Sequence, residues 1–143
     1  LYNHESPRRN VNFVSRKITK NLSLILKGKI KKITLGNISS KRDWGHAKDY
    51  VYAMWLMMQT KKPQDFVIGT GKTHSVKDFI KEAFDYVNLD YKKYIKVDKK
   101  LFRPNDKVIL KANFSKAKKL LKWKPTISFN ALVKEMVNHD LNR

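Results

Sequence analysis

The residues best suited to chemistry stand within the first nine positions. Asn3, His4 and Glu5 supply an amide, an imidazole and a carboxylate. Arg8 and Arg9 follow directly behind a proline, which stiffens the backbone. Because a guanidinium can hold a phosphate through two parallel hydrogen bonds, this segment could form an anion-binding loop ahead of a helix. A frayed, charged terminus would contain the same residue types, so both interpretations stay open.

A second candidate group surrounds Arg42, which precedes Asp43, Trp44 and the start of a predicted helix. Backbone N–H groups and the helix dipole favour anions at such a start, so Arg42 could clamp a pyrophosphate there. The alternative is an ordinary surface pair between Arg42 and Asp43, which would contribute little. Arg103 offers one further guanidinium, in a loop that a proline stiffens.

Two familiar nucleotide patterns are incomplete around Gly69-Thr70-Gly71. The phosphate-loop pattern needs a glycine where the sequence has Phe66, and the dinucleotide fingerprint needs one where it has His74. We therefore interpret the segment as a tight strand-to-helix turn, in which glycine supplies backbone freedom. None of the six tyrosines has a lysine four positions later, so the Tyr-x-x-x-Lys pair is missing. The sequence offers ligand-binding groups and no recognisable catalytic set.

Composition describes one lysine-rich domain. The formal net charge is +20 in 143 residues, which alone would suit a basic nucleic-acid-binding module. The excess is nearly all lysine and is spread along the chain, as a general lysine bias would also produce. The lack of cysteine excludes disulfides and thiolate metal sites and suits a reducing cytoplasm. No metal is expected, because His46 and Asp49 stand isolated, and no run reaches the roughly 18 apolar residues of a membrane span.

Hydrophobic periodicity predicts the elements that must position these groups. A first helix over about 13–27 would be capped by Asn12, and a second helix covers about 47–60. The second helix carries an apolar and aromatic stripe that we interpret as core-facing: Val51, Met54, Trp55 and Met58. The remaining predicted strands cover 30–35, 66–68 and 94–97. The remaining predicted helices are one that begins near Ser75 (with Asp78 in a capping box), one capped by Ser115 and one that begins at Ser128. The pattern indicates one α/β unit richer in helix than in strand.

Seven segments, taken in order and spacing, carry a family resemblance: 3–9 (NHESPRR), 13–18 (FVSRKI), 41–51 (KRDWGHAKDYV), 53–57 (AMWLM), 71–76 (GKTHSV), 102–104 (FRP) and 122–125 (KWKP). They resemble the GDP-mannose 4,6-dehydratases, which are extended short-chain dehydrogenase/reductases. The resemblance covers essentially the whole chain. Segments 3–9 and 41–51 separate this family from relatives that act on UDP- or dTDP-sugars.

The resemblance implies a fold and a function. Residues 1–143 would be the C-terminal portion of such an enzyme: the end of the NADP-binding Rossmann domain and the small α/β substrate-binding domain. The family converts GDP-mannose to GDP-4-keto-6-deoxy-mannose, and NADP takes and returns one hydride without net redox. The resemblance implies NADP contacts for His4 and Arg9, contacts to the sugar nucleotide for Asn3, pyrophosphate contacts for Arg42 and Arg103, and nucleotide or subunit contacts for Arg8, Arg16 and Lys17.

The family's glycine fingerprint, its Ser/Thr-Tyr-Lys triad and its catalytic glutamate are expected upstream of Leu1, so this chain by itself is not expected to catalyse. Asn10 stands where the family usually has glycine, a small cost because asparagine tolerates positive φ. Helices that would cover the Rossmann sheet are expected to lie exposed. The complete enzyme would be a cytoplasmic homo-oligomer, a dimer or tetramer. A nucleic-acid-binding module and a structural remnant without ligand affinity are the alternatives.

Overall fold

The computed structural model describes residues 1–103 and 109–143. Within these ranges the helices are α1 (Val14–Leu26), α2 (Ala47–Met58), α3 (Val76–Tyr86), α4 (Ser115–Leu120) and α5 (Phe129–Leu141). The strands are β1 (Asn3–Glu5), β2 (Ile33–Leu35), β3 (Lys41–Arg42), β4 (Trp44–His46), β5 (His74–Ser75) and β6 (Ile95–Val97). Short 3₁₀ turns lie at Tyr91–Lys93 and Lys99–Leu101. The described chain is an α/β structure richer in helix than in strand, as predicted.

The strands form three pairs. β1 runs parallel to β4, β2 runs parallel to β6, and β3 runs antiparallel to β5. Two of the predicted strands are present in shortened form, as β2 and β6. The third, over 66–68, is wrong: the segment is irregular, although Ile68 is fully buried and its carbonyl accepts a 2.8 Å hydrogen bond from the Tyr2 N–H.

Helices α1, α3 and α5 pack together around the larger of two hydrophobic clusters. Ile18 and Leu22 come from α1, Phe79 from α3 and Met136 from α5, and all four are fully buried. Trp44, at the start of β4, packs edge-on against Phe79 with ring centroids 5.5 Å apart. Each buried large apolar side chain stabilises the fold by about 1.5–3 kcal/mol. This packing fixes β4, and through it β1, against the helices.

The smaller cluster joins α2 to the last third of the chain. Tyr50 and Ala53 face inward from α2 and meet Ala117 of α4 and Trp123, all of them buried. The Tyr50 and Trp123 rings are nearly perpendicular, with centroids 6.3 Å apart. Such edge-to-face pairs contribute beyond the area they bury. Together they hold the segment after α4 against α2.

The stripe predicted as core on α2 is exposed. The exposed fractions are 62% for Val51, 40% for Met54, 55% for Trp55 and 81% for Met58. Periodicity correctly placed these residues on one face, but it carries no information on what covers that face. The buried side of α2 is the opposite one.

One predicted helix cap is present, two are wrong, and a further helix is capped by the serine at which it was predicted to begin. Ser75 and Asp78 form a complete capping box at α3, and Ser128 caps α5 by accepting from the Ala131 N–H. Asn12 does not cap α1, which begins one residue later than predicted, behind Phe13, without a side-chain cap. Ser115 is the first residue of α4 rather than its cap. In both wrong cases an asparagine two positions earlier forms a turn before the helix begins. Asn10 accepts the Asn12 N–H, and Asn113 accepts the Ser115 N–H.

Candidate active-site groups

The opening segment is an ordered part of the fold. β1 pairs with β4 in a register that places Asn3 opposite Trp44 and His4 opposite Gly45. β4 follows Arg42 after a single residue, so the pairing brings the backbone of Asn3 and His4 beside the segment that follows Arg42. The alternative of a frayed terminus is therefore wrong.

His4 is held by two contacts. Its Nδ1 lies 3.0 Å from the Tyr2 carbonyl oxygen, and its ring lies 5.1 Å from the ring of Tyr50. Because a carbonyl can only accept, this bond assigns the proton of the neutral imidazole to Nδ1 and leaves Nε2 as its acceptor. Gly45 makes room for the arrangement, since a Cβ there would lie 2.4 Å from the Tyr50 ring. His4 can therefore accept a hydrogen bond from the amide or hydroxyl of a ligand.

Glu5 and Arg9 form the base of the opening loop. Glu5 is buried, accepts a 2.6 Å hydrogen bond from the Ser15 hydroxyl, and lies 3.4 Å from Nε of Arg9. Burial raises the pKa of Glu5, against the lowering effects of Ser15 and of the Arg9 charge. The Arg9 guanidinium lies 3.6 Å from the centre of the Phe13 ring, and its side chain is 24% exposed. Arg9 is thus oriented by two neighbours and still reaches the surface.

Arg16 is a structural residue. It is 4% exposed, its Nη1 pairs with the buried Asp140 of α5, and its Nε donates a 3.1 Å hydrogen bond to the Arg9 carbonyl. Thr19 also donates to Asp140, at 2.6 Å. The expectation of a nucleotide or subunit contact for Arg16 is therefore wrong, because the guanidinium faces the interior. Its neighbour Lys17 is half-buried in α1.

Asp43 is fully buried and accepts four hydrogen bonds. Oδ1 accepts from the N–H and the hydroxyl of Thr70, at 2.8 and 2.6 Å. Oδ2 accepts from the N–H groups of Gly71 and Ala112, at 2.9 and 3.0 Å. The expected alternative of an exposed Arg42–Asp43 pair is wrong, because the carboxylate faces inward. Arg42, half-buried in β3, donates to the Lys41 carbonyl at 2.7 Å.

The turn at Gly69-Thr70-Gly71 donates backbone N–H groups to the Asp43 carboxylate. The N–H groups of Thr70 and Gly71, which a phosphate loop would direct at its ligand, are already bonded to Asp43. Gly71 has φ of +71°, a conformation that favours glycine. A Cβ at Gly69 would lie 2.3 Å from the Cβ of Ala112. The structure therefore agrees with a tight glycine turn but not with its predicted strand-to-helix setting, because residues 66–68 are irregular and β5 precedes α3.

Asp49, which the sequence analysis set aside, is a second buried carboxylate of the same kind. It accepts from the N–H and hydroxyl of Thr126, at 2.9 and 2.6 Å, and from the Ile127 N–H at 3.0 Å. Its own carbonyl accepts from the Trp123 indole at 2.9 Å. His46, also buried, caps α2 through Nδ1 and donates from Nε2 to Glu135 at 2.9 Å. The sequence signal that could have singled out Asp49 is the scarcity of acidic residues, with 12 Asp and Glu against 32 Lys and Arg.

The structure brings some candidates together and leaves others apart. Asn3 and His4 stand beside the segment that follows Arg42, and Arg9 closes the same loop. Arg103 is exposed at the end of a described range, behind the turn in which the Leu101 carbonyl packs on Gly36. Residues 104–108 of its proline-containing loop lie outside the described residues. In the described part of the chain, no group of three His, Cys, Asp or Glu could hold a metal. No helix there is long and apolar enough to cross a membrane.

Solved structures share this fold. The RMD protein of Pseudomonas aeruginosa, solved with NADPH, has a TM-score of 0.88 at 16% identity, over 99% of this chain and 46% of its own. A dTDP-glucose 4,6-dehydratase of Bacillus anthracis, solved with NAD, has a TM-score of 0.80 at 18% identity, over 96% and 42%. The likeness confirms the predicted α/β fold class.

Sequence comparison is more specific. GDP-mannose 4,6 dehydratase 1 of Arabidopsis thaliana is 52% identical over 141 residues, which cover 99% of this chain and 39% of that protein. The human GDP-mannose 4,6 dehydratase is 44% identical, over 99% and 42%. The chain thus spans about two-fifths of the length of these curated relatives. The sequence profile of GDP-mannose 4,6 dehydratase matches residues 1–136. With nearly its whole length matched, the chain belongs to the GDP-mannose 4,6-dehydratase family.

Proposed function

We propose that these residues form the sugar-nucleotide-binding portion of a GDP-mannose 4,6-dehydratase, a lyase that converts GDP-mannose to GDP-4-keto-6-deoxy-mannose. The observation that carries the proposal is the family match over residues 1–136, which includes every candidate binding residue. The relatives' names supply the substrate and the reaction. Residues outside these 143 would supply the catalytic groups, and this chain would bind and orient.

The substrate contacts are assigned to four residues. Arg42 and Arg103 would hold the pyrophosphate of GDP-mannose, because guanidinium groups match phosphate oxygens in charge and geometry. Asn3 would contact the sugar nucleotide, and its register with β4 supports this by setting it beside the Arg42 segment. Lys17 would add a positive charge from α1.

The cofactor contacts are assigned to His4 and Arg9. The residues fit NADP: the acceptor Nε2 of His4 suits an amide or hydroxyl donor, and the partly exposed Arg9 suits a phosphate. When bound, NADP would accept a hydride from the sugar and return it, so that the reaction has no net redox change. In this assignment the bond from Nδ1 to the Tyr2 carbonyl fixes the His4 ring, so that Nε2 can orient the cofactor. Arg9 would neutralise negative charge on the cofactor phosphate.

The remaining parts of the proposal concern the complete protein. The exposed apolar face of α2 (Val51, Met54, Trp55 and Met58) would pack against the rest of the enzyme, since such a face is costly in water. The enzyme would act as a homo-oligomer in the cytoplasm, which suits a chain without cysteine. Light scattering of the complete protein after size exclusion tests the oligomer.

Thermal unfolding with ligands tests the binding role. A ligand at a hundredfold excess over its dissociation constant stabilises the folded state by about 2.7 kcal/mol. We expect GDP-mannose to raise the melting temperature, UDP-glucose to raise it less, and Arg42→Ala to reduce the GDP-mannose shift. Arg143→Ala makes the same charge change at the chain end and serves as the control.

The other outcomes have distinct meanings. Equal shifts with GDP-mannose and UDP-glucose would contradict the proposed preference for GDP-mannose. A shift only with short duplex DNA, lost at high salt, would favour the nucleic-acid-binding alternative. No shift with any of these ligands would contradict a binding role for this portion by itself.

A further inference from the structure

Asp43 is the single residue between β3, which carries Arg42, and β4, which pairs with the strand that carries Asn3 and His4. β3 ends at Arg42 and pairs with β5, whereas β4 begins at Trp44 and pairs with β1. The position of Arg42 relative to Asn3 therefore depends on how this one-residue link is held. Asp43 holds it with a carboxylate that is fully buried and bonded four times.

These four bonds attach the link to two other parts of the chain. Thr70 and Gly71 belong to the turn that leads into β5, the strand that pairs with β3. Ala112 lies nine positions beyond Arg103, after the loop that carries this arginine. Asp43 thus connects the link that follows Arg42 with the turn before β5 and with a segment downstream of Arg103.

The arrangement is specific for a carboxylate. Two oxygens with about four acceptor sites meet three N–H groups and one hydroxyl, so donors and acceptors balance. An asparagine at this position would keep one acceptor oxygen and present an NH₂ group to N–H donors. The geometry of the turn would then have to change, because buried donors without a partner are costly.

We propose that Asp43 is a positioning residue for phosphate binding, which fixes Arg42 relative to Asn3 and His4 by clamping the link between β3 and β4. This inference rests on the proposed function in its ligand, a nucleoside diphosphate held by Arg42. In this inference Asp43 does not touch the ligand and acts only by orienting Arg42.

Asp49 provides a matched control. Its carboxylate is also buried, also accepts from a threonine N–H and hydroxyl, and also accepts from the next N–H along the chain. The Thr70–Asp43 and Thr126–Asp49 hydroxyl bonds are both 2.6 Å long. Asp49 holds the segment after Trp123 and has no bond to β3, β5 or Ala112 among the contacts described above.

The experiment compares Asp43→Asn with Asp49→Asn. Dissociation constants for GDP are measured by calorimetry at a temperature at which both variants are folded. We expect similar losses in melting temperature. We expect GDP affinity to fall about tenfold or more in Asp43→Asn, the effect of losing one hydrogen bond to a charged group, and to change little in Asp49→Asn. Equal losses of affinity in both variants would overturn the inference and leave Asp43 a purely structural residue.

A milder pair covers the case in which the asparagine variants do not fold. Thr70→Val and Thr126→Val each remove one hydroxyl bond of the same length from the two carboxylates. Only Thr70→Val should weaken GDP binding. If both variants weaken binding equally, the positioning role is refuted.

A second readout separates this inference from the proposed function. Amide shifts and hydrogen exchange of Lys41, Arg42 and His74 are recorded by NMR in the same variants without ligand. If the unchanged chain fails to bind GDP, the proposed function fails. The positioning inference is then decided by Arg42, whose amide should shift and exchange faster in Asp43→Asn but not in Asp49→Asn; no difference between the two variants would overturn it.

Discussion

Removing Asp140 should test how the buried ion pair with Arg16 supports the fold. Both side chains are about 95% buried, and the pair joins α1 to α5 over 124 positions of sequence. Thr19 donates to the same carboxylate, and Arg16 also donates to the Arg9 carbonyl. The pair therefore connects the two long helices and the loop that carries the candidate binding groups.

The structure sets the expected magnitudes. Asp140→Leu leaves a buried guanidinium without its counter-charge, and Arg16→Met does the same to the carboxylate, so each should cost about 3–5 kcal/mol. The double variant removes both charges and should lose far less than the sum. Its remaining loss, about 1–3 kcal/mol, comes from the Arg9 carbonyl and the Thr19 hydroxyl, which lose their buried partners.

Urea unfolding of the four proteins, followed by circular dichroism, measures these free energies. Thr19→Val removes one hydrogen bond to the Asp140 carboxylate and should cost about 1.5–3 kcal/mol. This milder variant is used if Asp140→Leu or Arg16→Met does not fold. Arg8→Met changes an exposed arginine and should shift stability by no more than about 0.5 kcal/mol. Additive losses in the double variant would refute the reasoning, because they would mean that the two charges do not compensate each other.

Three further outcomes follow from individual side chains. Tyr50→Phe should raise the unfolding free energy by about 1 kcal/mol, because the buried hydroxyl has no hydrogen-bond partner among the described residues; a clear loss in urea unfolding would contradict this. Gly69→Ala should cost about 1–3 kcal/mol through its contact with Ala112, while Gly28→Asn, in open space at φ +67°, should cost much less, and equal melting temperatures would count against the packing argument. Burial raises the pKa of Glu5 in the folded state, so its contribution to stability is present below the ordinary carboxyl pKa of 4.5 and is lost as pH rises through the raised value; Glu5→Gln should flatten this part of the pH–stability curve, and an unchanged slope would exclude the cause.

Local sequence rules predicted the features whose partners are close in sequence. The capping box of Ser75 and Asp78 closes within three positions, and the helix predicted to begin at Ser128 is capped by that serine over the same distance. Even local rules fail where two candidates compete. Asn10 accepts the N–H of Asn12 and forms the turn, so the predicted cap is displaced and α1 begins behind Phe13.

Features that depend on distant partners were not predictable from spacing. Asp43 bonds to residues 27 and 69 positions away, and Asp49 to one 77 positions away. Periodicity describes one face of one element and says nothing of the surface opposite it. For the same reason the stripe of α2 was placed on one face correctly and assigned to the core wrongly.

The candidate site shows how these two kinds of information combine. A scarce arginine ahead of a predicted helix made Arg42 a candidate from sequence, because charge and helix geometry are local properties, and its ligand role stays a prediction. Arg16 had the same composition signal and proved to be internal, because Asp140 lies at the other end of the chain. What separates them is the inward carboxylate: Asp140 draws Arg16 into the interior, whereas Asp43 turns inward itself and binds backbone N–H groups. The two arginines therefore differ in what the nearest carboxylate binds, and these partners lie far away in sequence, beyond the reach of spacing rules.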